Sequence, residues 1–163
     1  MYKLKTSYDH YSDAENSFSI TVSDPVIQGK IQLMKYAVNT VSGDKQPEEG
    51  ATFTVYLKSA GSYDAAKETE RDIITIGKNG KGTSKSLSYG TYCVQQRTGW
   101  AGYDRDETVY EVRISKDGQT VTKDNSGHDL TIYNNIWTGK LSILKVDGAD
   151  NTPLPGAVFT LTG

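Results

Sequence analysis

The chain has 163 residues, 36% hydrophobic and 23% charged, with 16 Gly, 4 Pro and a single Cys, a length that suits one domain or one domain with fragments of others. Eighteen basic against twenty acidic side chains give a formal charge of −2 and a pI near 5.7, so no strong field is available to gather polyanions and nucleic acid is not an expected partner. No apolar run approaches the roughly 18 residues that cross a bilayer, and the opening MYKLKTSYDHYSDAENS lacks the apolar stretch of a secretion signal, so no membrane insertion is expected.

In chain order, runs rich in β-branched and aromatic residues fall at 17–22, 30–38, 51–57, 72–77, 91–96, 108–114, 129–134, 140–146 and 157–163. These predict nine short strands. Asn79-Gly80 and Asp117-Gly118 lie between such runs and supply the positive-φ residues of tight hairpin turns. The stretch 63–71, YDAAKETER, has helical composition without a full apolar face, and predicts an exposed loop or a single helical turn. The expected class is all-β, a sandwich.

An internal repeat sets the domain organisation. Gly29-Lys30-Ile31-Gln32-Leu33-Met34-Lys35 returns 110 residues later as Gly139-Lys140-Leu141-Ser142-Ile143-Leu144-Lys145, and Gly50-Ala51-Thr52-Phe53-Thr54-Val55 as Gly156-Ala157-Val158-Phe159-Thr160-Leu161 after a loop four residues shorter. Upstream, Ile20-Thr21-Val22-Ser23-Asp24 matches Leu130-Thr131-Ile132-Tyr133-Asn134 at the same offset. The expectation is a tandem repeat: 1–28 the C-terminal strands of a preceding repeat, 29–138 a complete domain, and 139–163 the N-terminal hairpin of a following one. The last piece alone should expose an apolar surface.

Strand side chains alternate faces, so Ile31, Leu33 and Lys35 share one, as do Leu130, Ile132 and Asn134, and Tyr92, Val94 and Gln96. Each apolar face ends in a polar group. Buried, these three would have to find partners, among themselves if the strands converge; at strand ends, Lys35 would instead snorkel to water and the amides would cap turns. Lys145 recurs at the lysine position and Asp24 at the Asn134 position.

The central unit resembles the collagen-adhesin B-type domain, also called the SpaA-like pilin domain, of Gram-positive surface proteins. The resemblance rests on Lys35 followed by Gly50-Ala51-Thr52-Phe53-Thr54-Val55-Tyr56-Leu57, on Lys145-Val146-Asp147 with Pro153-Leu154-Pro155-Gly156-Ala157-Val158-Phe159-Thr160-Leu161, and on Gly90-Thr91-Tyr92-Cys93-Val94-Gln95-Gln96-Arg97-Thr98-Gly99-Trp100-Ala101-Gly102-Tyr103. It implies a prealbumin-like, Ig-like Greek-key sandwich in which a first-strand lysine forms a spontaneous amide with a last-strand Asn or Asp, promoted by a glutamate. By position the reactants are Lys35 and Asn134, with Asp24 and Lys145 in the flanking partial repeats. The glutamate position holds Gln96, which can donate a hydrogen bond but cannot carry a proton, and such assistance is worth roughly 10² to 10⁴ in rate. This departure leaves both a linked and an unlinked central domain open. Gly99 and Trp100 also stand where the pattern has Ala and Pro.

Other residues point less far. The lone Cys93 excludes an internal disulfide and a cysteine zinc site; by parity it faces away from Tyr92 and Val94 and is expected partly exposed, a thioester partner for a glutamine at most. His10 and His128 lie in polar stretches, and the acidic turns 147–151 and 123–125 lack calcium-loop spacing, so no metal and no cofactor are expected. Two functions follow. One is a stalk or spacer repeat of a secreted, cell-wall-anchored adhesin or pilin-like protein, with neighbouring repeats as partners and no external enzymatic activity. The other is a module binding host extracellular matrix or glycan through the 58–71 loop and exposed aromatics.

Overall fold

Alternation of β-branched or aromatic side chains with polar ones suits a pleated, half-buried surface, and in the computed structural model, which describes residues 23–162, it produces two packed sheets. The elements are β1 (Gln28–Val38), β2 (Lys45–Pro47), β3 (Thr52–Leu57), β4 (Arg71–Thr75), β5 (Lys81–Thr83), β6 (Leu87–Ser88), β7 (Gly90–Thr98), β8 (Val109–Ile114), β9 (Gln119–Val121) and β10 (Thr131–Asn135), with short 3-10 turns at Lys58–Ala60 and Glu68–Glu70. One sheet is the antiparallel ribbon β4-β3-β7-β8. The other is built around the long β1, which pairs in parallel with β9 through Gly29–Ile31 and with β10 through Met34–Val38. Its antiparallel partners are β6, β5 and β2, taken in succession. Every strand of that sheet therefore touches β1.

The parity expected from sequence holds at all nine positions: Ile31, Leu33 and Lys35, Tyr92, Val94 and Gln96, and Leu130, Ile132 and Asn134 are each at most 4% exposed. Phe53, Val55, Ile74, Ile76, Leu87, Val112 and Ile114 complete a core between the sheets, each large side chain contributing about 1.5 to 3 kcal/mol of burial.

Several expectations are corrected. β2, β5, β6 and β9 were not anticipated, because segments of two or three residues carry no alternation and exist only as partners of β1. Asn79-Gly80 and Asp117-Gly118 do not close hairpins within a sheet: they join β4 to β5 and β8 to β9, and so carry the chain from one sheet to the other. Gly80 and Gly118 do adopt positive φ, +77° and +69°. The predicted strands at 140–146 and 157–163 are not formed among the described residues; a single bridge joins Val146 to Pro153. Among the described residues no strand pairs with them, and Leu141, Leu144 and Val158 are 65%, 75% and 93% exposed. The predicted strand at 17–22 lies outside the described residues. The 63–71 stretch, by contrast, is as expected, a loop with a single 3-10 turn at Glu68–Glu70. Cys93 is buried, not partly exposed, for it sits opposite Tyr56 on β3.

Two core tyrosines give the fold a pH signature. Burial first of all pushes the Tyr92 and Tyr110 hydroxyls up to about 12. Tyr92 Oη donates to the Ser88 carbonyl at 2.8 Å and Tyr110 Oη to Asp106 at 2.5 Å. The unfolded chain loses these protons near 10 and the folded chain only near 12, so stability is full below pH 10 and falls between 10 and 12. Urea denaturation across that range should show this decline, and Tyr92→Phe should shrink it.

Candidate functional site

Lys35 lies on β1, in register with Ile132 of β10, so that Asn134 is a close neighbour on the adjacent parallel strand. Both side chains point into the sandwich, 0% and 1% exposed. A buried ammonium is costly unless paired, and the pairing residue is one that strand parity does not select. Glu48, also 0% exposed, places Oε2 2.9 Å from Lys35 Nζ. Its other oxygen, Oε1, accepts a hydrogen bond from Asn134 Nδ2 at 3.3 Å and one from the backbone N–H of Trp100 at 2.6 Å. One carboxylate thus spans the amine and the carboxamide nitrogen.

The turn after β2 fixes Glu48. Pro47 is the last residue paired to β1, opposite Tyr36; the Glu48 N–H donates to the Lys35 carbonyl at 3.2 Å and Gly50 to Ile76 at 2.9 Å. Trp100 clamps the same turn from the other side, its indole N–H donating to the Glu49 carbonyl at 2.8 Å. Glu48 Oε2 accepts no well-aligned hydrogen bond: its contact with Lys35 Nζ is ionic, while that nitrogen donates to the Tyr36 carbonyl at 3.2 Å. Burial pushes the Lys35 amine below its ordinary 10.5, against the opposing pull of Glu48 and Asp106.

The carbonyl side of Asn134 is held separately. Its Oδ1 accepts from the Asp106 backbone N–H at 3.2 Å, a donor shared with Gln96 Oε1 at the same distance. Gln96 Nε2 donates to the Thr98 carbonyl at 3.1 Å. Lys35, Gln96 and Asn134 therefore do converge, but they do not satisfy one another directly: Glu48 joins the first to the third, and Gln96 braces the 98–106 loop. The Asp106 carboxylate is engaged elsewhere, with the Thr108 N–H at 2.9 Å and Tyr110 Oη. Burial alone would raise its pKa, but those bonds and the Lys35 charge outweigh it and hold the group below its usual 3.8.

Of the flanking candidates, Asp24 and Lys145 are exposed, and neither is among the hydrogen-bond or ion-pair partners of Lys35, Glu48, Gln96 or Asn134. Glu48 escaped the sequence reading because PEEG reads as a solvated turn. The signal lay in the repeat: aligning Gly50 with Gly156 sets Glu48 against Leu154, and a position that is leucine in one copy is an apolar position, where a carboxylate needs a reason. Exposed aromatics are largely engaged within the domain. Tyr36 stacks on Tyr133 with Lys45 Nζ 4.2 and 4.5 Å from the two rings, and Arg71 and Arg113 cover Tyr63 and Tyr89.

Residues 29–127 match the family described as SpaA: Prealbumin-like fold domain. Among solved structures, GBS52, the minor pilin of the Gram-positive pathogen Streptococcus agalactiae, is similar with a TM-score of 0.51 and 19% identity over 74% of this chain and 49% of that one. The shaft pilin spaA of Lactobacillus rhamnosus GG is 18% identical over 78% and 57%, TM-score 0.42. The T6 backbone pilin of serotype M6 Streptococcus pyogenes is 30% identical over 53% and 16%, TM-score 0.39. The chain spans less than two thirds of each. No curated protein matches it.

Gly99 closes the site. A Cβ there would lie 2.6 Å from Glu48 Oε1, 2.7 Å from Gln96 Nε2 and 3.0 Å from Asn134 Nδ2, so the glycine makes room for the carboxylate. Gly99→Ala should cost about 1 to 3 kcal/mol by overpacking, read as a lower urea midpoint with an unchanged slope.

Proposed function

The chain belongs to the SpaA prealbumin-like fold family, and on that premise we propose that residues 29–138 are a load-bearing spacer in the stalk of a cell-wall-anchored Gram-positive surface protein or pilus, closed by an amide between Lys35 and Asn134. The observation that carries this reading is the burial of an amine and a carboxamide on adjacent strands with one carboxylate in contact with both. Buried polar groups cost stability unless they are hydrogen-bonded or paired, and here the pairing sets them out as nucleophile, electrophile and proton carrier. The Asp106 N–H, already on the carbonyl oxygen, faces the atom on which negative charge develops during attack.

The topology makes such a bond mechanically useful. β1 begins the domain and β10 ends it, and they are parallel neighbours, so opposite pulls on the two ends shear the pair. An amide at 35 and 134 carries the load from β1 directly into β10 and takes the chain between out of the path. By the chain-entropy argument for crosslinks, closing a loop near 100 residues adds about 4 to 5 kcal/mol. The flanks fit an array: 139–163 repeats the opening of the domain in sequence, and its apolar side chains are open to contacts from a following repeat. In that frame 1–28 ends a preceding repeat, Asp24 and Lys145 are reactive positions of the flanking copies, and the repeats are one another's partners. No step acts on an external substrate.

Intact mass of the full chain under denaturing conditions tests this directly. The expected result is a mass lower than calculated by one ammonia, with the full mass in Lys35→Ala. A wild-type chain at full calculated mass contradicts the reading.

A further inference from the structure

We infer that the acid–base group for the Lys35–Asn134 bond is Glu48, on the turn between β2 and β3, and that Gln96 on β7 is a positioning residue. This rests on the amide reading above. Four observations carry it. First, Glu48 meets both nitrogens that exchange protons, Lys35 Nζ through Oε2 at 2.9 Å and Asn134 Nδ2 through Oε1 at 3.3 Å. Second, the competing carboxylate, Asp106, is committed to Thr108 and Tyr110, and Gln96 makes its hydrogen bonds to Thr98 and Asp106 and none to Lys35 or Asn134. Third, Oε2 has no partner besides the Lys35 ammonium at 2.9 Å, so no other donor competes for the position that would receive its proton. Fourth, the site is cut to fit a carboxylate at this corner: glycine at 99 leaves space that any side chain would fill, and the Trp100 N–H is aimed at Oε1.

The repeat adds a comparison from within the chain. Leu154 stands at the position of Glu48, between Pro153 and Pro155 where the first copy has Pro47 and Glu49. The following copy has no acid at this corner. If its Lys145 reacts, the proton carrier of that copy must sit away from this corner.

The step balances as follows. Glu48 takes a proton from the Lys35 ammonium, leaving a neutral amine and a carboxylic acid. Nζ attacks Asn134 Cγ, forming the N–C bond while the carbonyl electrons move onto Oδ1, held by the Asp106 N–H. The Glu48 carboxyl turns and delivers its proton to Nδ2, and the carboxylate then regains one from Nζ. The Cγ–Nδ2 bond breaks, ammonia leaves, and the carbonyl re-forms as a secondary amide. No oxidant, metal or co-reactant is needed.

Mass measurement on the full chain separates this inference from the reading beneath it. Glu48→Gln keeps the shape of the side chain and removes the proton carrier; ammonia loss, followed over time, should slow by roughly 10² to 10⁴. Gln96→Met, which removes only the brace on the 98–106 loop, should still lose ammonia, more slowly than wild type and faster than Glu48→Gln, and Glu48→Leu combined with Gln96→Glu should regain the loss by carrying the acid on β7. Circular dichroism on each variant checks folding. Wild type and Glu48→Gln losing ammonia alike would overturn the assignment and leave the amide standing. A folded Gln96→Met that stays at full mass would overturn it too, and this arm decides if Glu48→Gln does not fold. Wild type at full mass removes the amide reading and the inference with it.

Discussion

The site depends on one carboxylate bridging two nitrogens inside an apolar core. Without Glu48 the Lys35 ammonium would be an unpaired charge between two sheets, and removing one member of a buried pair typically costs about 3 to 5 kcal/mol. With it, charge is balanced, yet the pair is not an obvious gain over hydrophobic residues of the same volume, because desolvation of both ions offsets their attraction. Leu154, at the matching place when Gly156 is aligned with Gly50 in the sequence, illustrates the cheaper solution. A buried ion pair maintained beside a carboxamide, with a glycine and a backbone N–H shaped around it, is better explained by chemistry than by stability.

The backbone brings these groups together through β1. Because this strand pairs with β2 on one side and β10 on the other, the residues just after β2 and those within β10 arrive at the same end of the same strand. Lys35 is at that end, and β7 in the facing sheet contributes Gln96 and, past its last residue, Gly99 and Trp100. The arrangement joins the beginning of the domain to its end, which is where a domain pulled from both termini carries load.

Much of this was legible in the sequence, and the exceptions have physical reasons. Period-two alternation places Lys35, Gln96 and Asn134 inward because strand geometry leaves no other option once their neighbours are apolar. The same logic is silent about Glu48, which belongs to a turn, and silent about β2, β5, β6 and β9, whose two or three residues are strands only by virtue of their partner. It misplaces Asn79-Gly80 and Asp117-Gly118 as hairpins, since a local turn signal does not say which sheet receives the chain. It misjudges Cys93, whose exposure depends on Tyr56 across the β3–β7 pair. And it takes 140–146 and 157–163 for strands, where the alternation is real but neither sheet among the described residues receives it. Comparing the two copies position by position was the one route to Glu48.

The central claim is that Lys35 and Asn134 are one covalent unit formed within this domain. Its most direct measurement is tandem mass spectrometry of a proteolytic digest of the full chain. A branched peptide, with the segment containing Lys35 joined to the segment containing Asn134 through a side-chain amide and lacking one ammonia, is the result the account predicts. Recovery of the two segments only as separate linear peptides of full calculated mass would contradict it.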